Sequence, residues 1–409
     1  MHPKNLSIED FTYALPDDRI ALYPVSPRNS SQLLVYNQGS ISKDIYQNIG
    51  HHLPKKSVLI FNDTRVIKSR ILFTKDTGAV IEVFCLEPYG NLADYEEIFQ
   101  KRKSVYWKCF VGKANKWKEK HLKKNLYIRD SSLELKAELI ERLPEACVVK
   151  FSWDSDSFTF REIINAAGTT PLPPYIKRAA NKDDETHYQT VYSAHEGSVA
   201  APTAGLHFTK EIVNELQQKN IQTLFTTLHV GAGTFKPVKA ETMEGHYMHA
   251  EWMHIELSFL EQLKKSLKQP IIAVGTTATR TLESIYWMGN KILHKRDIDF
   301  VSLKISQWEV YETRQKHSPT AAIQALINWM KEQGLHELMI ETEIIIAPSY
   351  TFKISKGLIT NFHQPQSTLL LLVAALLGEE WRKVYDYALK NNFRFLSYGD
   401  GSLLLPLIK

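Results

Sequence analysis

The sequence predicts a mixed α/β fold, a barrel-like α/β body into which a small all-β barrel domain is inserted. Strand signals follow one another from residue 79 to residue 151 with no convincing helix between them. Short apolar strands precede that stretch, and strands alternate with helices from residue 158 onward. Because insertions succeed at surface loops, we assign residues 1–72 and 153–409 to the body and residues 73–152 to the insert.

The composition is that of an ordinary folded protein. Of its 409 residues, 44% are hydrophobic and 23% are charged, which allows a large core. The net charge of +5 fits a polyanionic partner and fits a solvated lysine-rich surface equally well. The three cysteines are odd in number and form no C-x-x-C pair. We therefore expect no disulfide framework and no cysteine zinc site, and a reducing, cytoplasmic setting.

No segment predicts a membrane span. The beginning of the chain lacks a positive stretch followed by an apolar run, so we expect no signal peptide. The most apolar run, "LLLLVAALL" at residues 369–377, is about half the length that a bilayer requires. A helix that is apolar on every side and this short belongs in a protein core.

The first strands are short apolar runs bounded by polar residues or proline. "LLVY" at 33–36 and "VLIF" at 58–61 are predicted as strands of the body. "AVIEVFCL" at 79–86, "VYWKCFV" at 105–111 and "ACVVKF" at 146–151 are predicted as strands of the insert.

Helices begin at "FTFREIINAAG". Thr159 and Glu162 have the spacing of a capping box, and Gly168 suits a left-handed helix end. Later predicted helices are "TKEIVNELQQKN" with a Thr209 cap, "TTATRTLESIYW", "AAIQALINWMKEQG" and the apolar segment 367–377. The predicted strands between them are "IQTLFTTLHV", "PIIAVG" and "TEIIIA".

The stretch "TTLHVGAGTF" at 226–235 resembles the glycine-rich turn of a methyltransferase. Such a turn must lead into a helix, so that the ligand meets the helix N-terminus. Here Pro237 follows Gly233 by four residues, and no helical apolar period continues. We prefer a bare strand end at Gly231 and Gly233 that a ligand or another segment approaches closely. His229 precedes it, and a lone histidine there is more often structural.

Other predicted strand ends carry polar residues beside small ones. "FNDTR" places Asn62, Asp63 and Arg65 directly after an apolar strand, where ligands collect, although Asp63 also suits a turn. "SVAAPTAGLHFT" places Thr203 and His207 among small residues, which fits a flat ligand or a tight core crossing.

"VGTTATRTLES" ends a strand and begins a helix at Thr276 and Thr277. The free amides of that first turn form an anion site. At helical spacing Arg280 and Glu283 share a face with Thr276, and the alternative is that this face is solvated.

"HYMHAEW" offers His249 and Glu251, but its spacing matches neither H-E-x-x-H nor a zinc finger, so we expect no metal. "LITNFHQPQ" places Asn361 and His363 just before Pro365 at a helix entrance, where they suit a ligand or a cap.

The run from residue 101 to residue 124 contains ten Lys or Arg against one Glu, with aromatic residues between them. Basic residues that meet phosphates and aromatic residues that stack on bases are the ingredients of RNA contact. An exposed strand edge protected by lysines is the alternative. The residues selected for tRNA contact are Lys116, Trp117, Lys118 and Lys120.

Nine motifs in order resemble one family, the S-adenosylmethionine:tRNA ribosyltransferase-isomerases of queuosine biosynthesis. They are "FNDTRVIKSRI", "TTPLPPYI", "YQTVYS", "GSVAAPTAGLHFT", "TLHVGAGTFKPV", "HYMHAEW", "VGTTATRTLES", "LITNFHQPQSTLLLLVAALLG" and "FRFLSYGDGSLLL". The resemblance is weakest in the insert. Two positions depart from the family pattern: Ser349 replaces the usual glycine, and Lys68-Ser69 replaces proline and alanine.

The resemblance implies transfer and isomerisation of the ribosyl moiety of S-adenosylmethionine. The acceptor is 7-aminomethyl-7-deazaguanine at the wobble position of a tRNA with a GUN anticodon. The products are epoxyqueuosine in the tRNA, adenine and methionine. S-adenosylmethionine is a co-substrate, so no further cofactor and no metal are implied, and the protein is expected to act as a cytosolic monomer.

The resemblance also suggests roles for the selected residues. His207 and His229 are our candidates for the acid and the base, with Asp63 as the alternative base. Arg280 is a candidate clamp for the methionine carboxylate or a tRNA phosphate. His249, Glu251, Asn361 and His363 would orient ribose and purine. The remaining predicted binding residues are Asn62, Arg65, Thr203, Gly231, Gly233, Thr276, Thr277 and Glu283. We expect all these strand ends to converge on one pocket.

Overall fold

A computed structural model describes residues 2–90, 95–231, 233, 238, 240–295 and 297–407. Its strands are β1 Gln32–Asn37, β2 Ser40–Ile45, β3 Val58–Asn62, β4 Thr64–Val66, β5 Arg70–Thr74, β6 Val80–Pro88, β7 Ser104–Gly112, β8 Leu122–Ile128, β9 Ser131–Arg142, β10 Cys147–Trp153, β11 Gly168–Thr169, β12 His195–Ser198, β13 Gln222–His229, β14 Glu251–Glu256, β15 Ile271–Val274, β16 Glu337–Thr342, β17 Gly357–Asn361 and β18 Gly401–Leu405. Its helices are α1 Ile49–His52, α2 Tyr95–Gln100, α3 Phe160–Ala167, α4 Asp184–His187, α5 Lys210–Gln218, α6 Leu257–Ser266, α7 Thr276–His294, α8 Glu309–Glu312, α9 Pro319–Glu332, α10 Thr368–Leu377 and α11 Glu380–Lys390.

Nine of the described strands form one mixed sheet, the centre of the body. Their order is β16-β14-β13-β3-β15-β17-β18-β1-β2. Strands β13, β3, β15 and β17 are mutually parallel, whereas β14 and β18 pair antiparallel with their neighbours β13 and β17. Parallel strands need crossover connections, and here helices of the body supply them. This mixed α/β body agrees with the prediction.

Two helices, α7 and α10, are buried over most of their surfaces. Helix α7 is buried along nearly its whole length, including its polar residues, so the solvated-face alternative is wrong. Helix α10 is apolar on every side and lies in the main core, as its sequence predicts. Within the described residues, no helix is long and apolar enough to cross a bilayer.

Seven further strands form an antiparallel sheet in the order β11-β5-β6-β7-β10-β9-β8. It is curled, since Lys124 Nζ on β8 donates to the Leu72 carbonyl on β5 at 3.0 Å. Its apolar side chains form a core separate from that of the body. The sheet covers most of the predicted insert but also includes β11, and helix α2 lies inside the range predicted as all-β. The limits 73–152 stay a prediction.

Local capping chemistry was predicted correctly at the start of α3. Thr159 Oγ1 accepts from the Glu162 amide, and the Glu162 carboxylate accepts from the Thr159 amide at 2.9 Å. The end of the helix differs from the prediction. Gly168 is extended, with φ −100° and ψ 170°, and pairs with β5 instead of closing a left-handed turn.

Close approach of two backbones explains why residue 168 is a glycine. A Cβ atom at this position would lie 1.8 Å from the Lys68 carbonyl oxygen. The sequence therefore indicates a special glycine correctly, but the predicted cause is wrong.

The predicted strand "TEIIIA" is also wrong. Strand β16 ends at Thr342, and the isoleucines at 344–346 continue as buried irregular chain. That segment lies against α7, where Arg280 Nε donates to the Ile344 carbonyl at 3.1 Å. Ser349, which occupies a position where the related family usually has glycine, has a left-handed φ of 81°.

We predict that Gly168→Ala destabilises the protein. Overpacking costs about 1–3 kcal/mol, and more where backbone must move, as it must here. The urea midpoint measured by circular dichroism should fall clearly below that of the wild type. Gly112→Ala is the matched control, since its Cβ would meet Glu82 Cβ at an ordinary 3.4 Å. Equal midpoints for the two variants would contradict this explanation.

Candidate functional site

Four parallel strands bring the predicted polar segments to one edge of the large sheet. Asp63, Val230, Gly275 and Phe362 each follow the carboxyl end of one of these strands, β3, β13, β15 and β17. Because the strands run side by side in the same direction, their ends lie together. Ligands of α/β sheets collect at this kind of edge.

Cavity A lies where β15 and β17 end and helix α7 begins, and its volume is about 80 Å³. Small and hydroxylated residues form most of its wall, and no acidic side chain lines it among the described residues. The predicted residues that line it are Thr203, Thr276, Thr277, Asn361 and His363.

Cavity B adjoins cavity A and is larger, about 490 Å³. Leu369 at the start of α10 lines both cavities. Cavity B is lined partly by apolar residues, among them the isoleucines 344–346, and partly by charged ones. The predicted residues that line it are Gly233, His249, Glu251 and Arg280.

A buried ion pair forms the charged wall of cavity B. Arg280 Nη1 contacts Glu251 Oε2, and Glu251 Oε1 accepts from the Gly231 amide at 3.2 Å. Arg280 Nη2 is buried and has no hydrogen-bond partner among the described residues. A guanidinium with one unused donor beside a cavity can bind a phosphate or hydroxyl oxygen.

His249 also lines cavity B. Its ring packs so closely on Gly233 that a Cβ atom there would lie 2.3 Å from it, so Gly233 allows close approach as predicted. His249 Nε2 is 3.7 Å from Glu145 Oε2, which belongs to the turn between β9 and β10. In the described part of the chain, no three His, Cys, Asp or Glu side chains are grouped as metal ligands.

His363 is a buried, neutral histidine in the wall of cavity A. Its Nε2 hydrogen-bonds Thr360 Oγ1 at 2.8 Å, its amide donates to the Tyr385 hydroxyl, and its carbonyl accepts from Tyr13. Burial lowers the pKa of His363 to about 3. The side chain therefore presents an uncharged imidazole at neutral pH.

His207 reaches cavity A through Asn361. Asn361 Nδ2 donates to His207 Nε2 at 3.3 Å, which assigns the ring proton to Nδ1, and Nδ1 donates to Ser31 Oγ at 2.7 Å. Thr203 Oγ1 donates to Asn361 Oδ1 at 2.7 Å. Burial lowers the pKa of His207 to about 3. Both of its nitrogens are thus occupied, and it holds the amide that lines the cavity.

His229 lines neither cavity, although the next residue in the chain, Val230, lines cavity A. Its Nδ1 hydrogen-bonds Thr64 Oγ1 at 3.0 Å, and its ring lies 4.5 Å from the ring of Tyr95 on α2. Burial lowers its pKa to about 3. Asn62 bonds both the amide and the carbonyl of Leu228 at 3.0 Å. These contacts fasten β3 to β13, and neither residue lines cavity A or B.

Asp63 and Arg65 face away from the two cavities. Asp63 lines a separate cavity of about 220 Å³, where Thr227 Oγ1 donates to it at 2.7 Å and His195 lies at 3.8 Å. Burial raises its pKa. Arg65 is exposed on β4. The expected convergence of all predicted residues on one pocket is therefore wrong for these two and for Asn62, His229 and Glu283, none of which lines cavity A or B.

Glu283 is an internal acceptor in the core. Its carboxylate accepts from the Tyr350 hydroxyl and from the amides of Lys353, Ile354 and Ser355 at 2.7–3.0 Å. Desolvation raises the pKa of Glu283, because it outweighs the lowering effect of these hydrogen bonds. Its contacts fix the chain after α9 to helix α7, and it lines neither cavity.

The family model described as "Queuosine biosynthesis protein" matches residues 8–404. The chain belongs to this family. An S-adenosylmethionine:tRNA ribosyltransferase-isomerase of Desulfitobacterium hafniense is 35% identical over 406 residues, which cover 98% of this chain and 100% of that protein. The enzyme of the same name from Chlorobaculum parvum is 35% identical over 408 residues, again 98% and 100% of the two chains.

A crystal structure of an S-adenosylmethionine tRNA ribosyltransferase from Thermotoga maritima is also similar. It is 26% identical, with a TM-score of 0.46, over 97% of this chain and 100% of that chain.

In this member of the queuosine biosynthesis family the basic loop after β7, residues 113–121, is linked to the strand that leads to cavity B. Arg142 Nη2, at the end of β9, donates to the Ala114 carbonyl in that loop at 3.2 Å. The next turn carries Glu145, which lines cavity B. The predicted lysines 116, 118 and 120 are exposed.

Trp117 corrects the prediction for the basic loop. It is only 5% exposed and packs in the core of the antiparallel sheet, so it has no face free to stack on a base. In the sequence Trp117 stands among lysines, which suggests an exposed position. In the structure its large apolar indole ring is buried in the core instead.

Sequence reasoning missed several residues of the site. Tyr188 and Ser397 line cavity A, and Glu145 and the 71%-exposed Tyr247 line cavity B. Tyr247 lies inside the quoted motif "HYMHAEW", so an exposed aromatic residue between two histidines was a usable signal. Segment 234–237 and Ala232, which the methyltransferase comparison depends on, lie outside the described residues.

We predict that stability falls as pH drops from about 6.5 toward 3. The pKa values of His207, His229 and His363 are about 3 when folded and about 6.5 when unfolded, so the unfolded chain binds more protons in that window. Between pH 7.5 and 5.5 each of them should remove about 1.4 kcal/mol from the free energy of unfolding.

Urea unfolding at the two pH values measures this loss. His363→Gln should reduce the loss by about 1.4 kcal/mol, because the variant lacks one of the titrating groups. His51→Gln, at an exposed histidine on α1, is the control. The explanation fails if His363→Gln and the wild type lose the same stability between pH 7.5 and 5.5.

Proposed function

We propose that this protein is an S-adenosylmethionine:tRNA ribosyltransferase-isomerase. It transfers and isomerises the ribosyl moiety of S-adenosylmethionine onto 7-aminomethyl-7-deazaguanine at the wobble position of a tRNA with a GUN anticodon. Epoxyqueuosine-tRNA, adenine and methionine result. The observation that carries the proposal is the match of full-length relatives bearing this activity in their names, at about 35% identity over 98% of the chain.

The two adjoining cavities support this two-substrate reaction. Cavity B, at about 490 Å³, has room for a flipped-out nucleotide, with apolar residues to contact the base and with Arg280 in its lining. Exposed Tyr247 offers a stacking surface at its mouth. The exposed basic loop, which Arg142 links to the strand before Glu145, suits the phosphate backbone on either side of that nucleotide.

The reaction needs no protein nucleophile, since the substrate amine attacks. The cysteines agree with this, because Cys85, Cys109 and Cys147 are buried in the sheet of the insert, away from both cavities. Burial raises the pKa of the Cys109 and Cys147 thiols, which keeps them unreactive. We propose that the enzyme works as a cytosolic monomer with neither a metal nor a further cofactor.

Proton transfers occur beside the sulfonium and at the departing adenine. His207 and His229 remain the proposed acid and base, with Asp63 as the alternative base. Of the three, His207 is the one that contacts a residue of cavity A, because it accepts from Asn361, and this contact supports a role in positioning Asn361. His229 and Asp63 act on the cavities only through strand β13 and its neighbours. His363, a neutral imidazole in the wall of cavity A, orients the ribose or purine.

Arg280 had two proposed partners, the methionine carboxylate and a tRNA phosphate. Its guanidinium faces cavity B, so we assign it to the tRNA nucleotide. Glu251 holds it in place from the other side. This assignment leaves the carboxylate of S-adenosylmethionine to be bound elsewhere.

One assay tests the proposal. The protein is incubated with S-adenosylmethionine and tRNA that carries the aminomethyl base, and the small products are separated. We expect adenine and methionine in equal amounts. S-adenosylhomocysteine would instead identify a methyltransferase, and no product would favour a non-catalytic tRNA-binding protein.

Variants extend the same assay. His207→Ala is expected to slow adenine release strongly, since it removes the support of Asn361. His229→Ala with wild-type turnover would end the proposed role of His229 in proton transfer. A non-catalytic tRNA-binding protein requires both variants to be silent.

The basic loop is expected to bind tRNA through its phosphates. Replacing Lys116, Lys118 and Lys120 together with Ala should weaken tRNA binding and reduce the slope of log K against log[salt], by up to about 0.9 for each phosphate that a lysine no longer neutralises. Filter binding at several salt concentrations measures the slope. The matched control replaces three exposed lysines outside the insert, Lys43, Lys55 and Lys265. An unchanged slope in the loop variant would favour the alternative of a solvated surface.

A further inference from the structure

Helix α7 begins in cavity A without a cap. It is 19 residues long, its first turn contains no acidic residue, and no side chain at its N-cap accepts a hydrogen bond from it. The N-cap is Gly275, whose φ of 93° is the left-handed conformation that favours glycine. Thr276 and Thr277, the first residues of the helix, line the cavity. The free amides and the helix dipole at an uncapped N-terminus favour the binding of a negatively charged ligand.

A second, independent feature points to an acceptor in the same cavity. Tyr188 is fully buried and lines cavity A. Its hydroxyl lies near Ser397 and the backbone of Ala201, yet it forms no hydrogen bond of acceptable geometry with any described residue. Ser397 Oγ is already engaged by the Tyr175 hydroxyl at 2.6 Å. A buried hydroxyl without a partner costs free energy, which a bound acceptor recovers.

The charge and the size of cavity A limit which chemical groups it can bind. No Asp or Glu among the described residues lines cavity A, and Thr277 Oγ1 is a further buried hydroxyl without a partner there. The volume of about 80 Å³ suits a small anionic group and is too small to enclose a whole nucleoside. The two proposed substrates carry two kinds of small anionic group, the tRNA phosphates and the α-carboxylate of S-adenosylmethionine. Arg280 in cavity B and the basic loop are assigned to the tRNA, which leaves the carboxylate for cavity A.

We propose that cavity A binds the α-carboxylate of S-adenosylmethionine, with the first amides of α7 and the hydroxyl of Tyr188 as donors. This inference rests on the proposed function and deepens it. The sulfonium then lies toward Leu369, where the two cavities meet, and the ribose reaches the nucleotide in cavity B. Methionine formed by the reaction keeps the same carboxylate and leaves from cavity A.

Calorimetry with a pair of ligands tests the assignment. Titrations of S-adenosylmethionine and of its decarboxylated analogue are compared, in the presence of tRNA with unmodified guanine so that no turnover occurs. We expect the wild type to bind the decarboxylated analogue about tenfold more weakly or worse, because that analogue cannot accept the charge-assisted hydrogen bonds.

Tyr188→Phe removes one donor and nothing else. It should weaken S-adenosylmethionine binding about tenfold and leave the decarboxylated analogue unaffected. Tyr192→Phe is the matched control, since this buried hydroxyl also lacks a partner among the described residues but does not line cavity A. Neither variant should lose thermal stability relative to the wild type, because neither hydroxyl is paired in the folded protein and its removal also removes the cost of burying it.

Two results overturn the inference. One is equal affinity of the wild type for both ligands, and the other is an equal loss for both ligands in Tyr188→Phe. Either can occur while adenine release remains intact, so the proposed function would survive. If the wild type binds neither ligand and releases no adenine, the proposed function itself fails, and the inference fails with it.

Discussion

The common direction of four adjacent strands is the constraint on which the site depends. Strands β13, β3, β15 and β17 run parallel, so the residues that follow them share one edge of the sheet. Helix α7 rises directly from the end of β15, and this places its first amides in cavity A and Arg280, one turn later, in cavity B. A reversal of any one of these strands would carry its polar segment to the far edge.

Burial sets the chemical character of this edge. His207, His229 and His363 are all enclosed, and desolvation holds their pKa values near 3, so they are neutral. The strong charges near the cavities come instead from an ion pair, Arg280 with Glu251. In the proposed reaction a sulfonium cation would therefore meet hydrogen-bonding groups without repulsion from these histidines, since neutral imidazoles carry no like charge and imidazolium ions would.

Sequence patterns predicted most of the local structure and about half of the site. Signals that act over a few residues worked: the cap at Thr159 and the apolar helix α10 follow from neighbours in the chain. The prediction of a left-handed helix end at Gly168 was wrong, because the backbone at Lys68, distant in the sequence, packs against this residue. The prediction that Asp63 lies in the shared pocket was wrong for a different reason. Successive side chains of an extended chain point to opposite sides, so a position next to a strand end does not say which side faces the ligand.

Tyr188 and Trp117 show that the sequence alone does not reveal whether an aromatic side chain fills a core, lines a cavity or is exposed. Their sequence contexts offered no period that distinguishes a core ring from an exposed one. Only the tertiary structure shows that Tyr188 lines a cavity and that Trp117 fills the core of the antiparallel sheet.

Glu145 belongs to the antiparallel sheet, yet it forms part of the wall of a cavity otherwise built by the body. The pocket is thus complete only while both units stay docked. Arg142 links that turn to the lysine loop, so a tRNA bound to the loop as proposed would contact the same turn. In that case a distant part of a long substrate would influence the shape of cavity B, and a free nucleoside, which is too small to reach the loop, would not.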